Sequence, residues 1–119
     1  MKSHKSTDSE AQQQKRPREV IFLGQTLKDY KDLPAHIHDP FGFALTAVQY
    51  DQTPTLRLKH LNVSRGSAIE LIINGRPAYR LVYTTKEPGK VHILYAGKKT
   101  AQGTDRALID TVEARLKQI

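Results

Sequence analysis

The spacing of apolar residues changes several times along the chain, and each change marks an element. Residues 19–24, EVIFLG, form a short β-rich run closed by glycine, the pattern of a first strand. Between Gln25 and Leu33 the apolar residues Leu27, Tyr30 and Leu33 fall at helical spacing before Pro34, which predicts one short amphipathic helix. Ile37, Phe41, Ala44, Leu45 and Val48 carry the buried stripe of a second helix. Pro40 lies inside that stripe and predicts a kink or a late start, with Asp39 as the cap.

Asp51 to Pro54 is a polar connection, and residues 55–67 read as an irregular basic arm with one extended piece, LRLKHL. Three strands follow, Ala68 to Asn74, Pro77 to Thr85 and Lys90 to Ala96. Asn74-Gly75 and Pro88-Gly89 mark the reversals of an antiparallel meander. Alternation along residues 77–85 sends Ala78, Arg80, Val82 and Thr84 to one face and Tyr79, Leu81 and Tyr83 to the other, which makes Tyr79 and Tyr83 core residues. Thr104 can cap a last helix whose stripe is Leu108, Ile109, Val112, Leu116 and Ile119. That helix covers the sheet or faces a partner. The order β-α-α-β-β-β-α predicts an α+β fold, a small twisted antiparallel sheet with two N-terminal helices and a C-terminal helix.

Residues 1–17 hold no large apolar residue after Met1, so burial cannot offset the entropy of ordering them. They are expected to be a disordered basic tail ahead of one folded domain, residues 18–119. The chain of 119 residues has no cysteine, which excludes disulfides and thiolate chemistry. Lys2 and Lys5 are not followed by the apolar stretch of a secretory signal, and no later segment is long enough to span a bilayer, so a cytoplasmic protein is expected.

The net charge of +7 is unevenly spread: residues 57–99 carry nine basic residues against Glu70 and Glu87. Clustered Lys and Arg favour a polyanion partner by releasing counterions from phosphates, although a solvated basic surface has the same composition. The histidines, His4, His36, His38, His60 and His92, show no accompanying ligand set for a metal, and His36 and His38 point apart if helical. No phosphate-cradling glycine pattern occurs. His92, within a strand, reads as structural.

Four pieces in order then narrow the reading: LKHLN (58–62), IELII (69–73), PAYRLVY (77–83) and YAGKKT (95–100). Together with the two preceding helices they resemble the RelE/ParE toxin superfamily, in particular its HigB-like, phage-derived branch. The resemblance implies the toxin of a type II toxin–antitoxin system, a cofactor-free mRNA endoribonuclease that acts at the ribosome and inhibits translation. A cognate antitoxin, of helix-turn-helix type, would be its partner. In that chemistry the RNA 2′-hydroxyl attacks the adjacent phosphate, and the protein supplies a proton acceptor, cations for the phosphorane and a donor for the departing oxygen. Lys59 matches the arm lysine and Arg80 the arginine of the Tyr-Arg strand. Lys98, of the Lys-Lys run, is assigned to the scissile phosphate and Lys99 to the RNA backbone. Arg57 and Arg65 are further RNA-binding candidates. Tyr95 admits two readings, core or base-stacking.

His60 is a candidate on chemistry alone: between Lys59 and Arg65, positive neighbours favour its neutral, basic form. Two positions depart from the family pattern. Glu-Leu-Arg becomes Glu70-Leu71-Ile72, and the arm's second lysine becomes Asn62, so two cations are absent. Glu70 is placed to pair with Arg80. These departures leave two alternatives, a ParE-like inhibitor of DNA gyrase and a non-catalytic RNA- or protein-binding module.

Overall fold

A computed structural model describes residues 16–100 and 105–119. In chain order these form β1 (Glu19–Phe22), α1 (Thr26–Lys31), α2 (Ala35–Gln49), β2 (Arg57–His60), β3 (Ile69–Ile73), β4 (Ala78–Thr84), β5 (Lys90–Lys99) and α3 (Arg106–Leu116). The expected tail, residues 1–17, lies almost wholly outside the described residues, as does Thr104. Among the described residues no helix is long and apolar enough to cross a membrane.

The five strands make one sheet in the order β1-β5-β4-β3-β2. The predicted meander of β3, β4 and β5 is present and antiparallel, and the LRLKHL piece joins it as edge strand β2. The sheet is nevertheless mixed, because β1 lies parallel to β5. The α1–α2 hairpin and the β2–β4 stretch separate β1 from β5, and this long crossover allows a parallel pairing that a tight turn does not.

Both faces of the sheet are covered. On one, Ile37, Phe41, Ala44, Leu45 and Val48 of α2 pack on Leu71, Tyr79, Leu81, Tyr83, Val91 and Ile93. On the other, Leu108, Val112 and Leu116 of α3 pack on Ala68, Val82 and Leu94. The last helix therefore covers the sheet. Burial on both sides explains why β3 and β4 read as nearly continuous apolar runs. A shift in register at Val82/Tyr83 leaves Leu94 and Tyr95 both serving the α3 cluster.

Three local expectations are corrected. In α1, Leu27 is exposed while Thr26 is buried, so the inward stripe is Thr26, Tyr30 and Leu33. In α2, Pro34 is the N-cap instead of Asp39, and the helix runs through Pro40. An interior proline costs about 3 kcal/mol, but burying Ile37, Phe41, Leu45 and Val48 returns roughly 1.5–3 kcal/mol for each side chain. Packing thus overrides the local penalty. At the other end, the last helix is capped by Asp105, whose side chain accepts from the Leu108 N–H.

The C-terminus of α2 is fixed to the start of β1. The Arg18 N–H donates to the Gln49 carbonyl, Gln49 Nε2 donates to the Arg18 carbonyl, and the Arg18 guanidinium reaches the Val48 carbonyl and pairs with Asp51. A cation at a helix C-terminus also opposes the helix dipole favourably.

Pro40→Ala is expected to raise the free energy of unfolding by about 1–3 kcal/mol, since it restores one helical hydrogen bond and removes a steric clash. Urea denaturation measures it, and a destabilised variant would mean that the ring packs in a way alanine cannot replace.

Candidate functional site

The register of β2, β3, β4 and β5 sets two rows of side chains on the α3 face. One row is Arg57, Ile72, Arg80 and Gly97; the next is Lys59, Glu70, Val82 and Tyr95. Glu70 and Arg80 are thus diagonal neighbours on adjacent strands, within reach of long side chains. Both are only 2% exposed. Arg80 Nε lies 3.3 Å from Glu70 Oε2, and Arg80 Nη1 lies 3.4 Å from Asp105 Oδ2 at the start of α3. The pairing of Glu70 with Arg80 expected from the sequence is present, and Asp105 completes a triad.

The triad is incompletely bonded. Arg80 Nε and Glu70 Oε2 attract by charge but do not meet hydrogen-bond geometry, and neither atom has another hydrogen-bond partner. Buried polar atoms left this way cost about 1–3 kcal/mol each, so the arrangement is not explained by stability. Such groups concentrate at functional sites.

The triad forms the floor of a cleft of about 270 Å³, also lined by Lys59, His60, Asn62, Lys99, Arg106 and Ile109. Four cationic side chains, Lys59, Arg80, Lys99 and Arg106, face two carboxylates, Glu70 and Asp105. Among the described residues Lys59, Lys99 and Arg106 have no ion-pair partner. The cleft therefore keeps an excess of positive charge at its mouth, suited to an anionic ligand. Among the described residues no group of three or more His, Asp or Glu side chains is spaced to hold a metal ion.

The sequence candidates divide over this geometry. Lys59, Arg80 and Lys99 converge on the cleft. His60 borders it but pairs with Ile69, so alternation turns its side chain toward the face of Leu58 and Leu71, where it also borders a second depression. Lys98 lies elsewhere. Strand β5 runs to Lys99, not Ala96, and pairs Lys98 with Tyr79 and Lys99 with Ala78. The two lysines therefore stand on opposite faces, and Lys98 lines a depression with Asp29, Asp32, Pro34 and Tyr79. Arg57 is exposed at the sheet edge, and Arg65 is exposed on a bend outside the cleft.

Tyr95 is half-buried against the α3 cluster and leans along its strand over Gly97, where an added Cβ would meet the Tyr95 hydroxyl at 2.9 Å. Gly97 is the cross-strand neighbour of Arg80, so this glycine makes room for a tyrosine ring beside the triad. His92 is buried with Nε2 3.4 Å from Glu87 Oε1, far along β5 from the cleft. Ile72 is buried beside Arg80, and Asn62 lines the cleft, so both departures from the family pattern fall at the site itself.

Sequence reasoning missed Asp105 and Arg106 as cleft residues. The available signal was an acid–base pair at a helix start shortly after the Lys-Lys run. Without the docking angle of α3, nothing in the sequence aims it at Arg80.

One wall of the cleft belongs to the loop after β2. It is tied to α3 by the Ser64 N–H, which donates to Glu113 Oε2 at 2.7 Å. This backbone hydrogen bond, with a Ser64 side-chain bond and the nearby Lys117 and Arg106, holds the Glu113 carboxyl below its ordinary 4.5. A depressed acid stabilises the fold above its unfolded pKa and loses that contribution as pH falls through the folded one.

Residues 28–117 match the family profile described as "Phage derived protein Gp49-like (DUF891)". No curated protein and no solved structure matches.

Two outcomes are expected. Arg80→Met strands Glu70 as a buried, unpaired charge and should cost about 3–5 kcal/mol in urea unfolding, while the double variant Glu70→Gln, Arg80→Met recovers most of it; equal losses in both would rule out the charge argument. Protection of the Ser64 amide from hydrogen exchange, taken relative to the intrinsic rate at each pH, should fall in Glu113→Gln, and in the parent chain only as the pH drops below the normal carboxylate range. Protection in the parent that does not change with pH would show that the tie does not hold the loop.

Proposed function

The chain belongs to the Gp49-like family of phage-derived proteins, a RelE-like, toxin-related group, and from that premise we propose that it is the toxin of a toxin–antitoxin pair which cleaves messenger RNA, in the manner of the HigB-like branch. The observation that carries this reading is the buried Arg80, held at the floor of a cationic cleft with Lys59, Lys99 and Arg106 around it. A guanidinium so fixed is preorganised to stabilise charge developing on a phosphate, and in many enzymes preorganised charge supplies most of the rate acceleration.

The reaction needs no nucleophile from the protein. The RNA 2′-oxygen forms a bond to phosphorus, the bond to the 5′-oxygen breaks, and a cyclic phosphate is left. Arg80 neutralises the phosphorane, while Lys59 and Lys99 grip the backbone on either side of it. The 2′ proton leaves to water, and the ammonium of Lys59, on the Arg80 face of the sheet, donates one to the departing 5′-oxygen and is reprotonated from solvent; His60, turned to the other face, has a weaker claim than its sequence context gave it. Messenger RNA on the ribosome is the substrate in this reading, and an antitoxin that covers the cleft is the partner.

Ile72 favours a second reading. It fills with hydrocarbon the site next to Arg80 where the family pattern has arginine, and it is buried, so this protein stabilises a phosphorane with one guanidinium fewer. A ParE-like inhibitor that binds gyrase and cleaves nothing, or a module that only binds, would tolerate that loss.

Induced expression in bacteria with primer extension on a reporter message separates these readings. Discrete cuts that fall at least roughly tenfold in Lys59→Ala,Lys99→Ala fit the nuclease. Growth arrest with intact messages and a DNA-damage response fits gyrase. Binding to single-stranded RNA should lose about 0.7 from its salt slope for each phosphate contact removed, and Lys99→Ala should weaken binding more than Lys98→Ala. The reverse order would place the RNA on the other face of β5.

A further inference from the structure

We propose that the Asp105 carboxylate occupies the seat at Arg80 that an incoming phosphate takes, so that ligand binding in this cleft is the exchange of one anion for another. The proposal rests on the reading of the cleft as a phosphate site, and it adds the residue that sets how tightly the site binds.

Asp105 faces two ways. Its Oδ1 accepts the Leu108 N–H at 3.1 Å and so caps α3, while its Oδ2 lies 3.4 Å from Arg80 Nη1. The cap uses only one oxygen; the other is spent on the guanidinium. The side chains of Arg80 and Glu70 are each 3% exposed, whereas that of Asp105 is 22% exposed. Asp105 is therefore the partner of Arg80 that solvent reaches, and Glu70 is the one sealed from it.

The surroundings fit an anion larger than a carboxylate. Lys59, Lys99 and Arg106 line the same cleft, and none has an ion-pair partner among the described residues. The Asp105 carboxylate meets Arg80 only at Nη1, 3.4 Å away, and among the described residues it pairs with none of the mouth cations. A phosphodiester, with more oxygens and a tetrahedral spread, can meet Arg80 and the mouth cations together. Asp105 also stabilises the empty cleft, because an uncompensated guanidinium at this depth would be costly.

Asparagine caps helices as well as aspartate does, so Asp105→Asn removes the competing charge while it keeps the cap. The probe is a short single-stranded RNA with 2′-O-methyl sugars, which cannot be cleaved, followed by fluorescence anisotropy at low salt. Asp105→Asn is expected to bind it roughly five- to tenfold tighter than the parent chain. Asp110→Asn makes the same change in net charge on the exposed side of α3 and is expected to gain less than about twofold. Thermal unfolding checks that both variants fold.

If Asp105→Asn binds no tighter than Asp110→Asn, or binds more weakly, the exchange is overturned. Parent-chain binding that depends on Lys59 and Lys99 would in that case leave the cationic cleft standing. If neither the parent nor Asp105→Asn binds, the phosphate reading and the exchange fall together.

Discussion

A guanidinium held 2% exposed between a sheet and a helix must have negative charge beside it, and the way this protein supplies that charge organises the α3 face. Glu70 comes from the neighbouring strand and is set by register; Asp105 comes from the start of α3 and is set by how that helix docks. One partner is therefore as rigid as the sheet. The other is as rigid as the seating of a single helix, which Val112 and Leu116 hold against Val82 and Leu94, and which Arg115 ties to the Leu94 carbonyl at 2.7 Å. Buried ion pairs seldom add net stability, because desolvation consumes the attraction. The triad is better understood as a device that fixes Arg80 in one orientation at the floor of a cleft.

The two faces of the sheet divide the work. The face under α1 and α2 carries the larger apolar core, with His60 and Lys98 only at the strand ends. The face under α3 is apolar only along part of its length; toward the ends of β2 and β5 the rows become Lys59, Glu70, Arg80 and Lys99. Strands buried on both sides leave no cheap place for charge except where a covering helix begins or ends. The N-terminus of α3 is such a place, with Asp105 and Arg106 at the edge of the cluster, and the polar site sits there because the hydrocarbon cover runs out.

Much of this was legible in the residues. The stripe from Ile37 to Val48 and the strand alternation that sorts Tyr79, Leu81 and Tyr83 from Arg80 both reflect strong, repeated signals, and the structure has them. Glu70 on the same face as Arg80 followed from the same alternation. The parallel seat of β1 was not legible, because a short apolar run does not state which edge it joins. Pro40 marks a helix boundary by local propensity alone, and the buried stripe behind it carries the helix through. A strand that ends at Ala96 leaves Lys98 and Lys99 beyond it; once β5 extends through them, a period of two separates them, and a boundary shift of a few residues becomes a change of face.

The separation of Lys98 from Lys99 and the position of Asp105 bear on each other. A cationic site built only of surface lysines would bind any polyanion, with affinity set by salt. In this protein a single lysine of the run reaches the cleft, the central guanidinium is recessed, and a carboxylate stands before it. A ligand then gains the buried cation only by offering geometry good enough to replace Asp105, which penalises diffuse anions more than a well-placed phosphodiester. Asp105 also caps the helix that covers the core. Occupancy of the cleft and the seating of α3 are therefore linked through Asp105, and the coupling free energy between them is the same read from either side.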